Sequence, residues 1–164
     1  MTGLPAPTPN IVRSGLPALD ETDRAILRVL ARDGRIANNA LAETVGIAPS
    51  TCLGRVRVLR ETGVIRGFYA DIAPEAIGHT IQAVLAVRLQ ADARGSISEF
   101  AANVATLPQV LNVFFLAGAD DFLIHLAAAS TQELRDFVVT LSRGREVAST
   151  ETNLIFEHIR GTAL

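Results

Sequence analysis

Residues 41–65 read LAETVGIAPSTCLGRVRVLRETGVI, and the placement of their glycines and proline decides the first half of the chain. Leu41, Ala42 and Val45 stand at helical spacing on a short helix expected over 38–45, with Asn38 as its cap. Gly46 breaks that helix, Ile47 follows, and Pro49 opens another that runs to Gly63. Upstream, DETDRAILRVLARDG (20–34) supplies a further helix. Asp20 caps it, Asp23 takes the capping-box position, and Gly34 ends it. Ile26, Leu27, Leu30 and Ala31 form its apolar stripe. Three short helices with a tight turn between the second and third make a helix-turn-helix (winged-helix-like) pattern, although any small helical bundle shares most of these features.

The third helix tilts the choice. At 100° per residue, Cys52, Val56 and Leu59 fall on one buried stripe. Opposite lie Ser50, Thr51, Gly54, Arg57, Val58 and Glu61, with Arg55 and Arg60 on the flanks. Small residues allow close approach to a DNA major groove, and Arg meets guanine edges or phosphates. A solvated helix face that merely contains Arg reads the same way. On the groove reading, the DNA-contacting set is Ser50, Thr51, Gly54, Arg55, Arg57, Val58 and Arg60.

Charge is informative once divided. All 15 cationic side chains are Arg, and the net charge of the 164 residues is −2. Residues 1–70 hold 9 Arg against 6 acids, a balance of +3; residues 71–164 hold 6 against 11, a balance of −5. The overall acidity argues against a protein that coats nucleic acid indiscriminately, while a basic module attached to an acidic one fits. No apolar run reaches the roughly 18 residues of a membrane helix, and the N-terminus lacks the order of a secretory signal. The lone Cys52 excludes an intramolecular disulfide. A cytoplasmic protein is expected.

Beyond Gly63 the period changes. VIRGFYADI (64–72) reads as a strand and 74–78 as a turn. IQAVLAVRL (81–89) alternates as a strand. Helical spacing returns over 96–106, with Ser96 as cap, and Pro108 follows. VLNVFFLAG (110–118) and DFLIHLAAA (121–129) are two strands joined by a short turn. A helix over 131–143 and a last strand, STETNLIFEHI, complete a β-α-β-β-α-β order. The fold class is therefore α+β, with a ferredoxin-like C-terminal half: a four-stranded antiparallel sheet backed by two helices. One sheet face stays uncovered. Val84, Ala86, Phe114 or Phe115, and Ile124 are its expected apolar content, and a second copy is expected to cover it.

LDETDRAILRVLARDGRI (19–36), LAETVGIAPSTCLGRVRVLRETGVIRGFYADIAPEAIG (41–78) and AGADDFLIHL (117–126) together resemble the Lrp/AsnC, or feast/famine, regulators over residues 19–160. Residues 1–16, which hold three of the seven prolines, read as a flexible arm; the resemblance implies a helix-turn-helix DNA-binding domain (17–65), a linker strand and turn (66–78), and a βαββαβ effector-binding and oligomerisation domain (79–164). It implies double-stranded DNA as a partner, a homodimer that assembles into tetramers or octamers, and an amino acid or related metabolite as effector. The chain departs from the family at Ala37 and Ala48, where Ser usually caps helices two and three, and at Ala40, where Glu is frequent. Each lost cap costs about 1 kcal/mol. Gly54 within the third helix costs roughly another 1 kcal/mol relative to Ala.

The family's ligand loop carries Gly-x-x-Asp between the second and third strands, here Gly118, Ala119, Asp120 and Asp121. Glycine leaves backbone N–H groups open to an amino acid's carboxylate, and an Asp carboxylate accepts its ammonium group. An ordinary hairpin turn uses the same residues. Thr152 on the last strand matches a family position near the same site.

His79, His125 and His158 have no metal-ligand spacing, so no metal is expected. Cys52 reads as packing. No Ser-His-Asp order, P-loop or dinucleotide fingerprint is present, and neither a cofactor nor a catalytic role is expected. Two alternatives remain at this point: a ligand-independent architectural DNA-binding protein, and a siroheme decarboxylase-like enzyme on the same fold.

Overall fold

The computed structural model describes residues 17–159 and 161, with Arg94 described by its backbone alone; the arm expected over 1–16 lies outside the described residues. Within them the chain divides, between Asp71 and Ile72, into two compact units.

In the first unit, α1 (Glu21–Arg32) starts on the expected reciprocal cap. The Asp23 amide donates to Asp20 Oδ1 at 2.8 Å, and the Asp20 amide donates to Asp23 Oδ2 at 3.3 Å. Ile26 is buried and Leu27 and Leu30 are half-buried, but Ala31 is exposed and Val29 faces inward instead. Five residues from Ile26 is about 140° round a helix, too far for Ala31 to share its stripe. Gly46 at φ 72° ends α2 (Asn38–Val45), its amide donating to the Ala42 and Glu43 carbonyls. That left-handed turn suits glycine and sends the chain into α3 (Pro49–Glu61).

Asn38 does not cap α2. It is the first helical residue, and its Nδ2 donates to the Pro49 carbonyl at 2.9 Å, joining the starts of α2 and α3. Neither helix has a side-chain cap. Ile26, Leu41, Ala42, Cys52 and Leu59 form the core of the unit.

The strand expected over 64–72 is not formed within the chain: residues 66–73 have no regular structure. Alternation alone does not make a strand, because the ladder needs a neighbour's hydrogen bonds, and among the described residues no ladder forms with this segment. Tyr69 and Ile72 are left exposed at 85% and 60%.

The second unit holds β1 (Ile81–Leu89), α4 (Ile97–Ala105), β2 (Val110–Phe115), β3 (Phe122–Ala128), α5 (Thr131–Ser142) and β4 (Val147–Ile155). The sheet order is β2-β3-β1-β4 with every pair antiparallel, the ferredoxin-like arrangement. Ser96 precedes α4 as expected but does not cap it; its hydroxyl donates to the Ala93 carbonyl at 3.0 Å.

Register decides which side chains meet the helices. Ala83, Leu85, Val87 and Leu89 of β1 share the helix-facing core with Phe122, Ile124, Leu126 and Ala128 of β3. Ile124 lies opposite Leu85, so it is fully buried on that side and is no part of the open face. Phe115 lies opposite Phe122, their ring centroids 5.4 Å apart, also on the helix side. The apolar part of the open face includes Val84, Ala86, Phe114, Leu123, Ala127 and Ile155. Hydrogen bonds link Asn112, His125 and Gln82 across three strands of it and continue to Glu75 outside the sheet.

Candidate nucleic-acid interface and ligand loop

The outer face of α3 is as the 100° placement predicts. Ser50, Thr51, Gly54, Arg57, Val58 and Arg60 are exposed, while Cys52 and Leu59 are buried. Burial pushes the Cys52 thiol pKa up, as expected of a packing cysteine. Nothing stands within 4 Å of where a Gly54 β-carbon would be. Gly54→Ala is therefore expected to raise the stability of the free protein by about 1 kcal/mol, measured by thermal unfolding of the first unit. Unchanged DNA affinity and preference in that variant would show that the absent β-carbon serves no close approach.

Arg55 differs from its neighbours. Its Nη1 donates to Asp20 Oδ2 at 2.6 Å and to Asp23 Oδ1 at 2.8 Å, and its side chain is only 33% exposed. The same two carboxylates that cap α1 thus clamp α3, and the charge of Arg55 is spent within the unit. Arg57 keeps an outward guanidinium, its Nε 3.2 Å from Glu61 Oε1 one turn on.

The Asp23 backbone amide, and after it the Arg55 guanidinium, hold the Asp20 carboxyl below its usual pKa. A carboxylate depressed on folding contributes stability that is complete above its unfolded pKa and lost as pH falls from there through the folded value. The first unit is expected to lose stability progressively below about pH 4. Arg55→Ala should flatten that acid limb in melts followed from pH 6 to pH 2.

The β2–β3 loop is built around Asp121. Its amide donates to the Val87 carbonyl at 3.0 Å, and its carbonyl accepts the Leu116 amide at 2.9 Å. Its carboxylate Oδ2 accepts the buried Leu89 amide at 2.8 Å. The β1–β3 ladder ends at Val87 and Phe122, so this carboxylate stands where the next ladder carbonyl would be. Arg88 Nε donates to the Ala119 carbonyl at 2.8 Å. Gly118 and Ala119 are exposed, Asp120 is half-exposed, and Asp121 is turned inward. Thr152 lies opposite Leu85 on β4, so β1 separates it from the loop within one chain.

His125 and His158 come together although they are far apart in sequence, their rings 5.9 Å apart. Burial and then the neighbouring His158 keep the His125 pKa below its ordinary value. No group of three metal-ligating side chains occurs among the described residues, and no helix among them is long and apolar enough to cross a membrane.

Residues 19–66 match the winged helix-turn-helix DNA-binding family, and residues 82–163 match the Lrp/AsnC ligand binding domain. The HTH-type transcriptional regulator AldR of Mycolicibacterium smegmatis is 55% identical over 165 residues, covering 99% of this chain and 95% of that one. The chain belongs to the Lrp/AsnC family. Among solved Lrp/AsnC-like structures, MtbAldR has a TM-score of 0.75 at 52% identity, covering 89% of this chain and 100% of its own. A transcriptional regulator from Neisseria meningitidis, solved as a complex with L-Met, has a TM-score of 0.79 at 33% identity, covering 88% and 94%. This Lrp/AsnC chain is accordingly a transcriptional regulator with a DNA-binding helix-turn-helix and a ligand-binding domain.

Proposed function

We propose that a homodimer or larger assembly of this chain places paired α3 helices on a partly palindromic promoter site, and that an amino acid or related small metabolite changes that binding. The observation that carries the reading is the outer face of α3, where small exposed residues alternate with Arg57 and Arg60 above a buried seam. Ser50, Thr51, Gly54, Arg57, Val58 and Arg60 are the contacting set. Arg55 orients α3 through Asp20 and Asp23. No catalytic step belongs to this reading.

The effector site is the tip of the β2–β3 loop. Gly118 offers open backbone, and Asp120, half-exposed, is the carboxylate placed to receive an ammonium group; Asp121 faces the other way. The relative solved with L-Met supports an amino acid as the class of ligand. In the assembly, Thr152 of a second copy supplies a further side of the site.

A second copy covers the open sheet face, where Val84, Ala86, Leu123 and Phe114 form an apolar patch beside polar side chains, suited to a self-complementary interface. The segment beyond Ile65, where Tyr69 and Ile72 are exposed, lies against that copy as well.

The test is a titration onto DNA from upstream of the chain's own gene, at two salt concentrations, with and without a panel of amino acids. Tight, sequence-preferring binding altered by an amino acid supports the proposal. Binding without a response points to an architectural protein, and no binding at low salt removes the DNA reading.

A further inference from the structure

Past the end of α3 the surface forms a groove of about 420 Å³ lined by Arg57, Arg60, Glu61, Ile65, Arg66 and Gly67. It therefore gathers three guanidinium groups around a single carboxylate, and that carboxylate, Glu61, is engaged with Arg57. Among the described residues neither Arg60 nor Arg66 has an ion-pair partner. The negative end of a helix dipole would oppose an anion here, but three of the last four carbonyls of α3 are already occupied. Those of Val58, Leu59 and Arg60 accept the amides of Thr62, Ile65 and Gly63 at 2.9, 2.8 and 3.0 Å. The bond to Ile65, whose side chain packs on the core, also fixes where the backbone of Arg66 leaves the helix. The cations are the net field in this groove.

A helix seated in the major groove has a phosphate backbone along each side, and a residue beyond its end meets backbone instead of base edges. We propose that Arg66, together with Arg60 and the outward side of Arg57, holds one backbone phosphodiester of the bound duplex. The register of α3 on DNA is then set from outside the helix that reads it. This inference rests on the DNA-binding reading above and adds Arg66 to the binding set.

The experiment is fluorescence anisotropy of the full chain on its own upstream DNA and on a scrambled duplex of equal length, over a series of salt concentrations. Arg66→Ala, Arg66→Lys and Arg57→Ala are compared with the unaltered chain. Arg66→Ala is expected to weaken binding to both duplexes by the same factor, about tenfold, and to lower the slope of log affinity against log salt by about 0.9 for each copy bound. Arg66→Lys, which keeps the charge, should restore the slope. Arg66→Ala with unaltered affinity and slope, while Arg57→Ala weakens binding, overturns the inference and leaves the DNA-binding reading standing. A loss confined to the preferred sequence also overturns it, since the contact would then be to a base. Failure of the unaltered chain to bind either duplex overturns both.

Discussion

Asp121→Ala is expected to lower the thermal midpoint of the C-terminal unit by roughly 10 °C, a loss near 2 kcal/mol for a unit of this size. The Leu89 amide is buried, and the Asp121 carboxylate is its acceptor. Removing the acceptor leaves a buried donor unsatisfied, and that desolvation penalty adds to the loss of a charge-assisted hydrogen bond. The loop also loses the side-chain fastening that holds its base against the end of β1. Asp121→Asn keeps an acceptor oxygen and should fall well short of the alanine variant. Asp120→Ala, at a half-exposed position, should leave the midpoint within about 1 °C, because exposed substitutions away from such features change stability little. Calorimetry on the three variants, with an amino-acid response measured on each, separates the two carboxylates. Should Asp121→Ala melt like the parent and lose only the ligand response, Asp121 would be the ligand's acceptor and the fastening role would be wrong.

If a second copy covers the open sheet face as proposed, Leu123→Asp is expected to leave a folded monomer. Leu123 lies on the open face between Ala86 of β1 and Phe114 of β2. In a single copy it is half-buried, so an aspartate there keeps access to water. Against a second copy the same carboxylate is an uncompensated buried charge costing several kcal/mol, which weakens association by more than about a hundredfold. Sedimentation velocity reads the mass, and far-UV circular dichroism confirms that the sheet persists. A variant that still assembles like the parent would place the interface elsewhere.

The helix-turn-helix is legible in sequence because its signals are local. Asp20 and Asp23 are three residues apart, Gly46 must take positive φ, and Cys52 and Leu59 share a stripe by helical geometry alone. The βαββαβ order is legible for the same reason. What the sequence hides is pairing over distance. Arg55 reads as one more cation on a groove-facing helix until α1 brings Asp23, 32 positions away, into hydrogen-bond range. DFLIHLAAA is apolar on both faces, so nothing in its own pattern says that Ile124 looks toward the helices and Leu123 away; the register with β1 decides. Asp120 and Asp121 are likewise adjacent and chemically identical, yet successive residues leaving a strand point to opposite sides. The 64–72 segment has a strand's alternation, yet among the described residues it forms no ladder. Arg66 carries no helical signal, because it lies beyond the end of α3.

Among the described residues, the β2–β3 loop is tied down at its base through Asp121 and Leu116, and at its tip through the main-chain carbonyl of Ala119. A carbonyl is the same in every amino acid, so the identities of Gly118, Ala119 and Asp120 are decoupled from the integrity of the sheet. Changes of side chain at those positions can alter the loop's surface while the scaffold beneath stays intact. On the proposed effector site, selection could therefore explore new small molecules one substitution at a time, without first finding compensating mutations in the core.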